Sequence, residues 1–216
     1  MNALGFTTID DRSHNNKMDT VKPKQIRKDK LLDQGVLLLL GKGYHATGLK
    51  EILDSVKIPK GSFYSYFASK EQFAAEAIQH YIEPFIQRLS HHLQDPERDG
   101  LEALKAYYDE LIIEVAQSDF TGGCLLGNLM GEIGDTSPLC RDALLKTVER
   151  YSDLQKQALE RGQRQGTVRL DHSAKSMADL ILNAWQGALL RMKVNQSIAP
   201  LQAVCESLLG DYFKSP

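Results

Sequence analysis

The chain has 216 residues, 42% of them hydrophobic, and a formal net charge of −2. It has neither an apolar run near the ~18 residues of a membrane helix nor the apolar core of a signal peptide, which predicts a cytoplasmic protein. Three cysteines in a reducing compartment imply no disulfide framework. Periodic apolar segments without strand-like alternation predict an all-α fold.

Residues 1–21 are polar and aperiodic, which predicts a disordered N-terminal arm, with Met18 as an alternative start. An arm that touches nucleic acid is the other possibility, but two basic against three acidic residues argue against it. Residues 22–80 carry ten Lys and Arg against six Asp and Glu, whereas 81–216 carry fourteen against nineteen. The basic residues are densest just before and inside the first predicted helix, at Lys22, Lys24, Arg27, Lys28 and Lys30.

Two helical patterns follow, separated by a break. Apolar or small residues at i, i+3, i+4 and i+7 over 32–39 predict one face of a first helix. Gly43 after Lys42 is a suitable left-handed cap that ends this helix. Thr47 is a suitable N-cap for a second helix, whose apolar stripe covers 49–56.

The next segment, from Lys60 to Phe67, alternates aromatic side chains with hydroxyls and a cation. Pro59 can begin a helix there without losing a hydrogen bond. A helix with so many polar side chains suits a DNA major groove better than a core. Phe63 and Phe67 are expected to point inward. The predicted groove and phosphate contacts are Lys60, Ser62, Tyr64, Ser65 and Tyr66.

Two residues at helix N-termini are predicted to hold phosphates, Thr47 on the second helix and Lys70 on the fourth. Ser69 and Gln72 form a capping box that begins this fourth helix. Three helices with a tight turn between the last two make a helix-turn-helix. A generic helical hairpin is the alternative interpretation.

Residues 31–73 resemble the DNA-binding domain of the tetracycline-repressor (TetR) family. One departure is Lys57, where the family most often has Gly, so a mildly strained left-handed Lys is expected in the turn. The resemblance implies a homodimeric repressor that binds a palindromic operator in double-stranded DNA and is released by a small effector. A helical ligand-binding module without DNA activity is the alternative. The residues that carry the resemblance are Gly43-Tyr44, Thr47, Glu51-Ile52, Lys60 to Tyr64, Tyr66-Phe67 and Ser69 to Glu71.

The predicted domains are therefore a DNA-binding domain over 22–80 and a helical effector-binding and dimerisation domain over 81–216. The fourth helix should bend at Pro84 and end at Asp95. Further helices are predicted over 101–115, 124–132, 139–165 and 171–195, with Asp171 as a cap, and a last one from Pro200.

The last two helices are apolar on several faces. They are either buried within one chain or pair with a second subunit, and the family resemblance favours the second reading. The predicted interface residues are Met177, Ile181, Ala188, Leu189, Met192, Leu201, Val204 and Leu208.

Cys124 is the candidate reactive group. It follows two glycines and opens a predicted helix, where the helix dipole and unpaired N–H groups favour the thiolate that attacks electrophiles. The segment from Gly123 to Leu129, with Glu132, also resembles the Gly-Cys-Leu motif of a TetR subgroup of N-ethylmaleimide-responsive repressors. A small buried hydrophobe lining a ligand pocket is the alternative.

Other residues are candidates for an effector pocket with noncovalent binding. Cys140 is a possible partner thiol, and Cys205 is expected to pack in the core. Aromatics and Met at helical spacing are also common in cores. The predicted pocket residues besides Cys124 are Tyr107, Tyr108, Phe120, Met130 and Trp185.

No motif for catalysis was found: the chain lacks a glycine-rich phosphate loop, H-E-x-x-H, G-x-S-x-G and Cys-x-x-Cys. The six histidines do not fall at convincing ligand spacing with Cys or carboxylates. We therefore expect no enzyme, no cofactor and no metal.

Overall fold

The computed structural model describes residues 23–216; the Lys60 side chain, Lys22 and the predicted arm lie outside this description. Within it, extended structure is limited to one bridge between Val168 and Lys214, and the all-α prediction is confirmed. None of the described helices is long and apolar enough to cross a bilayer. The helices are α1 Pro23–Ala46, α2 Leu49–Ser55, α3 Lys60–Phe63, α4 Lys70–Gln94, α5 Gly100–Ala116, α6 Leu125–Ile133, α7 Pro138–Gln165, α8 Ala174–Asn195 and α9 Ala199–Ser207, followed by a π-helical turn Leu208–Tyr212.

The backbone breaks of the N-terminal unit lie where the sequence predicts them. Gly43 has φ 79° and ψ 176°, which interrupts α1 before its last turn. Lys57 has φ 55°, the left-handed conformation expected in the α2–α3 turn. Ser69 caps α4 by accepting a hydrogen bond from Gln72 N–H, but the Gln72 side chain accepts from Ala68 N–H, so the capping box closes one residue early.

One predicted cap of the C-terminal unit is wrong. Ser173, and not Asp171, caps α8, because its hydroxyl accepts from Ser176 N–H. Both Asp171 carboxylate oxygens lie 2.6 Å from the Arg169 guanidinium, and this bidentate pair holds the carboxylate away from the helix end.

Helices α4, α5, α7 and α8 pack into the core of the C-terminal unit, and α1 packs on α4 and α6. Tyr107 and Tyr108 are fully buried at its centre. Their hydroxyls find polar partners across the core, at 2.6 Å on Tyr151 and 2.8 Å on Gln155. The short helix α6 contacts α1 on one side and α7 on the other, so it touches both units of the chain.

Candidate DNA-binding surface and effector cavity

A buried aromatic cluster holds the segment from Lys60 to Phe67, named the recognition segment below, against the rest of the N-terminal unit. Phe63 and Phe67 are essentially inaccessible and pack on Phe73 of α4, with ring centroids 5.9 and 5.1 Å away. Gly35 on α1 makes room for the Phe73 ring, because a Cβ there would lie 2.0 Å from Phe73 Cζ. This packing leaves the opposite face of the segment in solvent.

The solvent face of the recognition segment carries Tyr64 and Ser65. Tyr64 is 58% exposed, and Ser65 is exposed while its hydroxyl donates to the Ser62 carbonyl at 2.7 Å. Ser62 is half-buried, and so is Tyr66, whose ring centroid lies 5.7 Å from Lys24 Nζ. Of the predicted groove contacts, Tyr64 and Ser65 are therefore the most accessible of those whose side chains are described.

Thr47 does not have the predicted role. It is fully buried, and its hydroxyl donates to the Gly43 carbonyl at 2.6 Å, so it cannot reach a phosphate. Helix α2 starts two residues later, at Leu49, with Gly48 as its N-cap. The hydroxyl that looked like a helix cap instead satisfies the carbonyl left free where α1 breaks.

Lys70 is also engaged within the chain. Its Nζ donates to the Tyr44 carbonyl at 2.6 Å and lies 4.2 Å from the centroid of the Tyr44 ring. Burial lowers the pKa of Lys70, and the nearby Glu132 opposes this shift. In this structure Lys70 links α4 to the end of α1, and a phosphate contact would have to compete with that bond.

Glu132, near the end of α6, belongs to the segment that resembles the Gly-Cys-Leu motif, but its contact with α1 was not predicted from the sequence. Its two carboxylate oxygens accept hydrogen bonds from Tyr44 N–H and His45 N–H, each at 2.7 Å. A Cβ at Gly43 would lie 2.6 Å from Glu132 Oε2, so the close approach requires glycine there. The carboxylate thus satisfies the N–H groups of the last turn of α1 from another helix.

An apolar cavity of about 90 Å³ lies in the C-terminal unit between α4, α5, α6, α7 and α8. Cys124 borders it at the start of α6, and Glu114 contributes a carboxylate that pairs with Arg88 outside the lining. A charged pair at the border of an otherwise apolar cavity is the pattern of a small-molecule site. The aromatic and apolar lining includes Tyr81, Phe85, Leu111, Leu126, Tyr151, Trp185 and Leu189.

Cys124 is partly accessible and is the N-cap residue of α6, as predicted. Gln186 Nε2 on α8 donates to its Sγ at 3.2 Å. Gly123 before it has φ 79°, and a Cβ there would lie 2.7 Å from Lys193 Cε. The thiol also borders an outer cleft between α6 and α8. Cys124 therefore lies between two open spaces, the cavity and this cleft.

The other two thiols are buried. Burial raises the pKa of Cys140, whose Sγ donates to the Glu71 carbonyl at 3.6 Å. Burial also raises the pKa of Cys205 to about 12. Neither thiol lines the cavity, so Cys124 is the cysteine in contact with it.

The predicted pocket residues separate into three groups. Trp185 lines the cavity. Tyr107 and Tyr108 lie in the core behind it, where Tyr108 contacts Trp185 with ring centroids 4.8 Å apart. Phe120 packs in the α5–α6 loop with φ 58°, and Met130 is 41% exposed and borders the outer cleft. Tyr81, Phe85 and Gln186 were missed, because helical periodicity marks them only as core or surface.

Most of the predicted interface residues lie inside the chain. Met177, Ile181, Met192 and Leu201 are at most 1% exposed and cannot contact a second subunit in this fold, and Leu189 lines the cavity. An open apolar groove instead runs along the outside of α8 and α9. It is lined by Leu180, Ala184, Gly187, Ala188, Arg191, Pro200, Ala203, Val204, Ser207 and Leu208, which include three of the eight predicted residues.

Two family models match the chain. The model for bacterial regulatory proteins of the tetR family matches residues 31–77, and the model for the tetracyclin repressor-like C-terminal domain matches residues 100–208. The HTH-type transcriptional repressor NemR of Escherichia coli (strain K12) is 33% identical over 175 residues, which cover 81% of this chain and 88% of NemR. The HTH-type transcriptional repressor DhaR of Mycobacterium sp. (strain GP1) is 32% identical over 183 residues, 83% of this chain and 90% of DhaR.

Solved structures agree with these matches. The reduced form of E. coli NemR superposes with a TM-score of 0.80 at 30% identity, covering 88% of this chain and 97% of that one. A regulatory protein TetR from Rhodobacter sphaeroides superposes with a TM-score of 0.79 at 30% identity, covering 87% of this chain and 99% of that one.

Proposed function

Since the chain belongs to the TetR family of bacterial regulatory proteins, which are transcriptional regulators and not enzymes, we propose that it is a homodimeric repressor released by an electrophile at Cys124. Its operator would be a palindrome in double-stranded DNA, since each subunit of a two-fold dimer meets one half-site. Such a regulator meets its operator in the cytoplasm. The observation that supports the electrophile response is a partly accessible thiol at the border of a partly open apolar cavity, with a hydrogen-bond donor on its sulfur.

The N-terminal unit supports binding in the major groove. The aromatic cluster fixes the recognition segment from behind, while Tyr64 and Ser65 project into solvent. The basic balance of residues 22–80 favours association with phosphates. Binding to the operator should therefore weaken steeply as salt rises.

Helix α6 is the structural route from the cavity to the DNA-binding unit. Cys124 lies at its start, and Glu132 lies about 12 Å further along its axis by helical rise. Glu132 holds the last turn of α1 through two N–H groups. Modification of Cys124 would add bulk at the cavity, and a shift of α6 would pass directly to the break at Gly43. An effector releases DNA by shifting the protein from a conformation with high operator affinity to one with low operator affinity.

The outer face of α8 and α9 is the surface on which a second copy would dock. It is an open apolar groove with four glycine or alanine residues, Ala184, Gly187, Ala188 and Ala203, that allow helices to approach closely. Apolar interfaces are typical of obligate dimers. The proposed interface is this groove, which keeps Ala188, Val204 and Leu208 of the predicted interface residues and leaves out the buried ones.

The decisive test is the response of a Cys124→Ser variant. Operator affinity would be measured with and without N-ethylmaleimide for the wild type, Cys124→Ser, and the matched controls Cys140→Ser and Cys205→Ser. We expect Cys124→Ser to bind DNA normally and to lose the response, while both controls keep it. If Cys124→Ser releases DNA as the wild type does, the second candidate is correct: a small apolar effector held noncovalently in the same cavity, which its lining favours.

A further inference from the structure

Tyr81 is a buried residue of α4 that lines the effector cavity together with Cys124. The polar groups that act on its hydroxyl are the Cys124 side chain, the backbone of Leu125 at the start of α6 and, more weakly, Tyr151. Burial raises the pKa of Tyr81 well above its usual range, and the neighbouring Cys124 adds to this effect. A protonated tyrosine hydroxyl can donate a hydrogen bond, and Tyr81 lines the same cavity as the Cys124 thiol.

Gln186 is a second hydrogen-bond donor near Cys124. Gln186 Nε2 donates directly to Cys124 Sγ at 3.2 Å. Gly127 on α6 leaves space for this amide, because a Cβ there would lie 2.4 Å from Gln186 Oε1. Gln186 thus bonds to the sulfur itself, whereas Tyr81 lines the cavity in which a reactant would meet the thiol.

Conjugate addition of the Cys124 thiolate to an unsaturated carbonyl would be assisted by a hydrogen-bond donor to the carbonyl oxygen. When the Cys124 thiolate adds to the β-carbon of an α,β-unsaturated carbonyl, the S–C bond forms and the C=C electron pair moves toward the carbonyl oxygen. The resulting enolate then takes a proton from water at its α-carbon, which replaces the proton lost by the thiol, so no oxidant or leaving group is involved. A donor aimed at the developing oxyanion stabilises the transition state.

We propose that Tyr81 is this donor, and that the cavity takes small uncharged enals and enones. The inference rests on the proposed reaction of Cys124 with an electrophile. The cavity of about 90 Å³ is smaller than the ~150 Å³ cavity that holds benzene, which favours reactants of few heavy atoms on this side of the thiol. Its apolar lining and the Glu114 carboxylate at its border disfavour an anionic reactant.

Two neutral reagents of similar size separate the role of Tyr81 from that of Cys124. Methyl vinyl ketone reacts by conjugate addition, whereas iodoacetamide reacts by displacement of iodide and places no new charge on its carbonyl oxygen. Rates of Cys124 modification would be measured on the full chain by peptide mass spectrometry. The variants are Tyr81→Phe and the matched control Tyr151→Phe, which removes a cavity hydroxyl that already bonds to Tyr107 at 2.6 Å.

We expect Tyr81→Phe to slow methyl vinyl ketone at least about tenfold, in line with loss of an oxyanion donor, and to change iodoacetamide by less than about threefold. Tyr151→Phe should affect both reagents weakly. Equal slowing of both reagents by Tyr81→Phe, or no slowing of either, would overturn the role of Tyr81 and leave the reaction of Cys124 intact. Failure of the wild-type Cys124 to react with either reagent would instead overturn the proposed function on which the inference rests.

Discussion

Among the described side chains of the recognition segment, the most accessible large one is Tyr64, which is 58% exposed and packs edge-on against the buried Phe63 ring. We predict that Tyr64→Ala lowers operator affinity by about 1–3 kcal/mol if the hydroxyl or ring contacts a base. The melting temperature should change little, because the side chain buries little area.

Fluorescence anisotropy measures the affinities of wild type and Tyr64→Ala for operator DNA and for random DNA. A contact to a phosphate would weaken both DNAs equally, whereas a base contact weakens the operator selectively. Unchanged affinity for both would contradict any role of Tyr64 in DNA binding. Tyr64→Phe then shows whether the hydroxyl or the ring carries the contact.

A second residue-level prediction concerns His80 of α4, which lies 2.7 Å from Asp33 of α1. The hydrogen bond to Asp33 raises the pKa of His80 above 6.5, and the charges of Asp33 and Asp29 add to this effect. A raised pKa in the folded state means that the stabilisation is complete below the unfolded value and is lost as pH rises through the folded value.

The gap in unfolding free energy between wild type and His80→Gln should therefore be larger at pH 6 than at pH 8.5. Urea unfolding followed by circular dichroism at both pH values measures it. Asp33→Asn is the matched control and should abolish the same pH dependence. A gap that stays constant between the two pH values would show that the pair contributes no proton-linked stability.

At the scale of elements, α6 joins the cavity to the DNA-binding unit through Glu132. We predict that Glu132→Ala reduces the ratio of operator affinities before and after Cys124 modification, since two N–H groups at the end of α1 lose their acceptor. Couplings of this type are typically 5–150-fold, and the variant should fall to within about threefold. Cys124 should still be modified at the wild-type rate.

Gly43→Ala should have the same effect, because its Cβ would lie 2.6 Å from Glu132 Oε2 in a backbone conformation of φ 79°. Asp135→Asn, which removes an exposed carboxylate just beyond α6, is the matched control and should leave the response intact. Full response in Glu132→Ala, with normal modification of Cys124, would show that the signal takes another route.

For the whole molecule, the prediction concerns the groove along α8 and α9. Leu180 is 42% exposed, so Leu180→Glu should leave the fold of one chain intact while placing an unpaired charge in the proposed interface. Sedimentation at micromolar concentration should show a dimer for the wild type and a monomer for this variant.

Leu145→Glu is the matched control, since Leu145 is a leucine of α7 with 56% exposure that lies outside this groove. It should remain dimeric. A monomeric wild type would contradict the assembly, and a dimeric Leu180→Glu would place the interface elsewhere. A charge at Leu189 would be a poorer test, because that residue is 6% exposed and lines the cavity.

Local features of the chain were predictable because they depend on near neighbours. Gly43 and Lys57 adopt positive φ at the expected breaks, Ser69 caps α4, and Phe63 and Phe67 point inward. Caps, turns and helical stripes are determined within a few residues, so the sequence carries them directly. The family resemblance at residues 31–73, confirmed by the matching family models, extended these features to a fold.

The sequence by itself thus determined the all-helical architecture, the recognition segment and the position of Cys124 at the start of a helix. Only the tertiary structure decided that Met177 and Ile181 are core residues, that Thr47 is buried, and that Glu132 holds the end of α1. Periodicity shows that a helix has an apolar face but not what covers that face. Contacts such as Glu132 to Tyr44 join residues 88 positions apart, and their pairing depends on how the helices pack around one another.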